Sequence, residues 1–222
     1  MLRILTEIKT EESTFIKSYS DTILTEKNVR KRVKNTGEYF ARLNGFFLEY
    51  LEKYNIPTGY LKTVDKNKLV FDNFTVFPFN CRISNVLEKK YTAVFSINVN
   101  ELLALPYSEF YCLDEQKHLI NESHLISFDL ATIEDIKIIN RICSKVNAVL
   151  KSFFERRNFV LGELICYFAK SNEKIVIIGD FSPLGIKILP VDGNFNDCKF
   201  LKRHNFNDLK LYTEFLLELI KT

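Results

Sequence analysis

Glycine is scarce in this chain, with 7 in 222 residues, and tryptophan is absent. A phosphate cradle made of closely spaced backbone N–H groups needs residues without Cβ, so a glycine-rich nucleotide loop is disfavoured. The cysteines Cys81, Cys112, Cys143, Cys166 and Cys198 show no C-x-x-C spacing, and no His stands at ligand spacing from them. A zinc site is therefore not expected, and an odd number of cysteines in apolar surroundings reads as free buried thiols in a reducing compartment. His118, His124 and His204 lack a Ser or Cys partner in any nucleophile motif, which leaves hydrolase chemistry unsupported. No apolar run approaches the roughly 20 residues of a membrane span. The opening "MLRILTEIKTEES" reads as neither signal peptide nor anchor. The expectation is a soluble, cytoplasmic protein. Lys and Arg number 31 against 28 Asp and Glu, too even a balance for a typical duplex binder.

What is present is apolar material. The hydrophobic fraction is 46% and includes 20 Phe, enough to build a core rather than a disordered chain. "LRILTEI" and "STFIKSYSD" read as a hairpin, and "EKNVRKRVKN" as a loop or helix start. Tyr39, Leu43, Phe46, Phe47, Tyr50 and Leu51 mark one face of a helix over 36–53, capped at its start and stopped before Pro57. Two strands are expected around "DKNK", the second reaching Pro78, then a strand "YTAVFSINV". Short helical pieces are expected around "NELLAL" and "NESHLI". The longest helix spans 132–157, with Thr132 and Asp135 as its capping pair and a stripe from Ile133 to Phe153. Strands "FVLGELICYFA" and "KIVIIGDF" form a hairpin over 159–182, and a helix from Asn207 closes the chain. The class is α+β, with lobes over 1–78 and 79–222.

Two features have residue types suited to chemistry, each against a plainer reading, an ordinary hairpin with solvated acids for the first and a solvated loop for the second. Glu163 and Asp180 stand at the strand ends of the last hairpin, and paired carboxylates hold Mg²⁺ against nucleotide phosphates. Lys27, Arg30, Lys31, Arg32 and Lys34 concentrate positive charge, the pattern of an anion or nucleic-acid patch, although no aromatics interleave for single-strand stacking.

The fragments "NIPT" after the first long helix, "NES" at 121–123, "VNAVL" in the long helix and "GDFSP" occur in one order along the chain. With this order and spacing, from about Ser13 onward, the sequence resembles SAICAR synthetase. That ligase of purine biosynthesis joins aspartate to a carboxylated aminoimidazole ribotide using ATP. The resemblance implies a two-lobed fold of antiparallel sheets flanked by helices, with ATP and Mg²⁺ as cofactors of the active enzyme. Its site residues match incompletely. The family's glycine- and lysine-bearing lid hairpin is represented only from its middle, and without glycine. Asp21 and Thr22 match the start of an acidic Thr-Ser stretch whose remainder is missing. The Arg-Asn pair that grips the ribotide phosphate becomes Ser84 and Asn85, and Lys89 and Lys90 stand where Gly and Ser belong. Arg82 is expected on the opposite strand face. His118 is followed directly by "LINE", without the family's Asp. The alternating Asp, Lys and Glu become Glu163, Ile165 and Tyr167. In "GDFSPLG", Leu184 replaces an Asp, and Lys187 stands in for an Arg whose bidentate fork an ammonium does not reproduce.

The candidate ligand-binding set is Asn85, Lys89, Lys90, Asn121, Glu122, Ser182 and Lys187. The metal pair is Glu163 and Asp180, and no catalytic residue is assigned. Acyl phosphate chemistry needs a metal, cations on the transferring phosphoryl group and a docked substrate phosphate. The losses therefore read first as a SAICAR-synthetase-like protein without the parent reaction and without a cofactor. Such a protein would bind a protein partner or a nucleotide-like ligand through a cleft lined by Ile165, Tyr167 and Leu184, as a monomer or a homo-oligomer. The alternative is an ATP- and Mg²⁺-dependent amide-forming ligase of the same class. A third reading is nucleic-acid binding through 27–34.

Overall fold

The computed structural model describes residues 2–11, 13–25, 29–88, 91, 94, 102–113, 118–191 and 206–221. Strands β1 (Arg3–Glu11), β2 (Thr14–Leu24), β4 (Tyr60–Asp65) and β5 (Lys68–Asp72) form an antiparallel sheet in the order β1-β2-β5-β4, with β3 (Arg30–Arg32) on β2. A second sheet runs β10-β9-β6-β7-β8. It comprises β6 (Thr75–Val86), β7 (Leu102–Cys112), β8 (Leu119–Ile120), β9 (Phe159–Ser171) and β10 (Lys174–Gly179), with β11 (Ile186–Pro190) paired to β9. Helices are α1 (Thr36–Glu52), α2 (Glu122–Ser127), α3 (Ile133–Glu155) and α4 (Phe206–Leu219).

The helix expectations agree with this structure because their apolar stripes are long and periodic. On α1, Phe40, Leu43, Phe47 and Leu51 are buried. On α3, Ile136, Ile139, Val146, Leu150 and Phe153 are buried, whereas Ile133 is exposed. Phe153 meets Phe47 edge-on at 5.4 Å and Tyr50 at 5.1 Å, so the two helices share one aromatic cluster. Burying a side chain of this size contributes about 1.5–3 kcal/mol. Thr132 and Asp135 form the reciprocal capping box, satisfying two donors at the α3 start. The cap on α1 differs from expectation: Asn35 is left-handed with φ 66° and its side chain caps nothing. The first turn is held instead by Asp21 Oδ1, which accepts from Gly37 N at 3.0 Å. A Cβ at Gly37 would stand 2.3 Å from the Tyr19 carbonyl oxygen, so this close crossing of β2 requires glycine.

Strand expectations needed more correction. The segment after α1 is three strands rather than two, and Pro78 lies inside β6, which also runs through the expected lobe boundary. Arg30–Arg32 is a short strand, paired with Thr22–Leu24. "NELLAL" contributes to strand β7 rather than to a helix, because pairing with β6 outweighs the leucine helix preference. The segment "IKILP" forms β11, which was not foreseen. The strand expected over 91–99 lies outside the described residues apart from Tyr91 and Val94. Cys81, Cys143 and Cys166 are buried free thiols and Cys112 is half-buried; Cys198 lies outside the described residues. No helix among the described residues is long and apolar enough to cross a membrane.

Candidate active site

The register of β6 and β9 sorts the expected site residues onto two faces. Cys81 lies across from Cys166 and Ile83 across from Leu164, and these residues join the core with α3. Arg82 lies across from Ile165 and Ser84 across from Glu163, so these four share the other face. Strand β7 adds Tyr107, Glu109 and Tyr111 to that face, and β11 adds Lys187 directly opposite Glu163. The expected separation of Arg82 from Ser84 is therefore wrong. Two positions along a strand return a side chain to the same face.

This face carries a connected polar network. Arg82 Nη2 lies 2.5 Å from Glu163 Oε2 and 3.1 Å from Glu88 Oε2. Ser84 Oγ and the Tyr107 hydroxyl both donate to Glu88 Oε1, at 3.4 and 3.0 Å. Glu109 accepts from the Tyr91 and Tyr111 hydroxyls. Burial works against the Arg82 charge, but the adjoining Glu163 carboxylate outweighs it and raises the guanidinium above its ordinary value. Burial also raises the Tyr107 hydroxyl well above the usual phenol range.

Asp180 sits in a second cluster at the end of β10. Its Oδ1 accepts from Asn44 Nδ2 at 3.3 Å and from Ser182 N at 3.1 Å. Asn44, buried on α1, also donates to Phe40 O and accepts from Phe181 N at 2.9 Å. Ser182 is fully buried and its hydroxyl accepts from Leu184 N. The hydroxyl of this expected binding residue is thus engaged in the turn. Gly185 closes that turn, and a Cβ there would lie 1.9 Å from the Asp180 carbonyl oxygen. On β2, Lys17 Nζ stands over the Tyr19 ring at 5.1 Å; burial lowers the Lys17 pKa, and the Asp180 charge opposes that shift. Burial and Asp180 together raise Tyr167 to about 12.

Beside this cluster lies an apolar slot of about 160 Å³ lined by Ile8, Phe15, Phe71, Phe74, Val76 and Ile178, with Lys17 supplying charge. These are not the apolar residues expected to line the cleft. Ile165 is buried on the network face and Leu184 packs against the core. Asn85 is turned toward α3, where it and Asn147 exchange two amide bonds of 2.8 and 2.9 Å. It lines a separate groove of about 400 Å³ with Glu122, whose carboxylate accepts from Asn140. Asn121 caps α2 through His124. Asn85, Asn121 and Glu122 are thus not gathered with Glu163 and Lys187. Lys89 and Lys90 lie outside the described residues.

Glu163 and Asp180 are both of the donor type that Mg²⁺ takes, a hard cation that binds one or two carboxylates and completes its shell with water and substrate phosphates, but Glu163 is paired with Arg82 and Asp180 lies in the second cluster. Among the described residues no group of three or more His, Cys, Asp or Glu could hold a metal unaided. Sequence reasoning missed Lys17, Asn44, Glu88 and Glu109. Only Lys17, a lone cation in the alternating run "TFIKSY", left a readable signal.

The two sheets, the helix packed on the second and the polar network on that sheet's other face define an α+β protein with the architecture of SAICAR synthetases. A solved "SAICAR synthetase (Type-2) in complex with ADP" superposes with a TM-score of 0.84 at 20% identity, covering 98% of this chain and 97% of that one. The Ehrlichia chaffeensis phosphoribosylaminoimidazole-succinocarboxamide synthase superposes with a TM-score of 0.86 at 16% identity, over 98% and 95%. In sequence, the enzyme of that name from Sulfolobus acidocaldarius is 28% identical over 169 residues, 75% of this chain and 72% of its own. The SAICAR synthetase family model matches residues 3–197, and the chain belongs to that family.

Proposed function

We propose that this protein is an ATP-dependent carbon–nitrogen ligase of the SAICAR synthetase type. The observation that carries this reading is the apolar slot beside Lys17 and Asp180, within the fold of enzymes named for this reaction. The slot suits a flat nucleobase, and in this reading Lys17, which lines it, would meet the phosphates. A related structure was solved with ADP. Glu163 and Asp180 would hold Mg²⁺, which when bound neutralises charge on the transferring phosphoryl group. Asn44 and the Ser182 N–H fix the Asp180 carboxylate, so its orientation is set before any ligand arrives.

Neither the fold nor the family match speaks for loss of the parent reaction, which was the first expectation from sequence. The test is ADP release and succinocarboxamide formation from ATP, Mg²⁺, aspartate and the carboxylated aminoimidazole ribotide. Absence of turnover with freshly folded protein overturns the reading. One observation favours a second reading, nucleotide binding without ligation: Ile165 and Tyr167 fill strand positions where the family carries Lys and Glu. Mg²⁺–ATP binding without turnover would select it.

A further inference from the structure

Strand β10 is covered along its outer edge only in part. Ile177 N donates to Pro57 O at 3.0 Å, and Gly59 N donates to Ile177 O at 2.9 Å. The next rung would need an N–H at Pro57 to meet the Ile175 carbonyl, and proline has none. Asn55, left-handed with φ 55°, turns the preceding chain off that edge. Alternate residues of an antiparallel strand turn their N–H and C=O to the same side. The backbone groups of Ile175 therefore face an open edge. The space left there is a groove of about 390 Å³ walled by α3, at the small end of ligand sites. Its floor is apolar, made of Ile138, Ile142, Ile175 and Pro57. Its rim is cationic: Arg141 and Lys145, one helical turn or about 6 Å apart, belong to α3, and Lys174 belongs to β10. All three are exposed, and among the described residues no carboxylate pairs with them. Neighbouring lysines differ, since Lys137 pairs with Glu134, Lys151 with Glu155 and Lys170 with Asp135. Glu173 also lines the groove, but its carboxylate is engaged by Lys170 at 3.7 Å.

We propose that this groove binds a phosphorylated small molecule with an aliphatic portion, at a site separate from the ligase cleft. The polar network of Arg82 and Glu163 lies on the face of the second sheet away from α3. The apolar slot uses Ile178, and Ile175 points to the other face of β10. Three cations without carboxylate partners favour a dianion, which a phosphate monoester is above its second pKa. Arg141, Lys145 and Lys174 meet the phosphate oxygens, with the Ile175 N–H as a further donor. The floor is branched aliphatic and holds no aromatic ring, so it packs an aliphatic body rather than stacking a base. None of this rests on the ligase reading.

The experiment is calorimetric titration of hexyl phosphate and of inorganic phosphate, slightly above neutral pH and at low salt. The proteins are wild type, Lys174→Gln and the double variant Arg141→Gln with Lys145→Gln, all changed at exposed positions. The double variant should weaken hexyl phosphate about tenfold and Lys174→Gln about threefold, since charge-assisted contacts are lost. Inorganic phosphate should bind wild type about tenfold more weakly than hexyl phosphate, because it leaves the floor uncovered. Amide NMR signals of Ile175 and Lys145 should shift on adding hexyl phosphate. The inference is overturned if the double variant binds like wild type, or if inorganic phosphate binds as well as hexyl phosphate. Amide shifts confined to β6 and β11, or no binding at millimolar hexyl phosphate, would also overturn it. Mg²⁺–ATP titrated into the same proteins separates the two proposals. The variants should bind it as wild type does. Failure of wild type to bind Mg²⁺–ATP sinks the ligase reading and leaves the groove standing, whereas ATP binding with unaltered hexyl phosphate binding in the double variant does the reverse.

Discussion

Replacing Asn44 by alanine tests how the Asp180 cluster is held. Asn44 is buried, at 1% exposure, and its amide ties three groups: Phe40 O, Asp180 Oδ1 and Phe181 N. Phe181 is itself fully buried, so truncation leaves its N–H without an acceptor, at about 1–3 kcal/mol. The lost bond to Asp180 adds about 1 kcal/mol, a modest share because that carboxylate is partly exposed and keeps the Ser182 N–H. The sum is about 3 kcal/mol, or a fall in Tm of about 6–12 °C for a chain of this size. Denaturant unfolding followed by circular dichroism measures it, and amide exchange at Phe181 should accelerate. In a double-mutant cycle with Asp180→Ala the two substitutions should couple by about 1 kcal/mol, since they share a bond. A cost below about 1 kcal/mol for Asn44→Ala, together with additivity in the cycle, would refute the reasoning.

Three further outcomes follow from the same structure. Phe153→Ala should cost about 3–5 kcal/mol in denaturant unfolding, because it empties the centre of the cluster formed with Phe46, Phe47, Tyr50 and Phe154; a cost near zero would mean that α1 and α3 are not packed through it. Gly185→Ala should destabilise by about 3 kcal/mol and weaken Mg²⁺–ATP binding, since its Cβ would push on the Asp180 carbonyl; normal ATP binding in a destabilised variant would detach the turn from the site. Burial tends to raise the Asp135 carboxyl, but the Thr132 N–H and hydroxyl and Lys170 outweigh this and hold it below its ordinary range. With the folded pKa depressed, the stabilisation is complete above the unfolded value of about 3.9 and is lost as pH falls through the folded pKa. Asp135→Asn should therefore flatten the acid limb of the stability profile, and an unchanged slope would contradict this.

Legibility in the sequence followed the physics of each element. Helices α1 and α3 were readable because several turns of apolar stripe outweigh any local ambiguity, and Thr132 with Asp135 announced its own cap. Strand β7 was not readable. "ELLALPYSEFYC" contains helix-favouring leucines and a proline, and only pairing with β6 makes it a strand. The short β3 and β11 likewise exist through their partners, β2 and β9. Positions that match the family by residue type could be aligned from sequence, but their direction could not. Asn85 matched and turned out to face α3, where a buried amide pair ties the helix to the sheet.

Arg82 shows where such reading can be improved. It was set aside for facing the wrong way, although strand periodicity of two puts positions 82 and 84 on one side. A residue-by-residue comparison asks whether each position keeps its type, and at Ser84 the answer is a lost cation. A long side chain, however, delivers its charge a residue or more from its Cα. The relevant unit is therefore the strand face and the reach of the side chains on it. Counted that way, β6 still carries a guanidinium over Ser84, and β11 carries an ammonium across from Glu163. Two cations are thus retained on this face in a different arrangement.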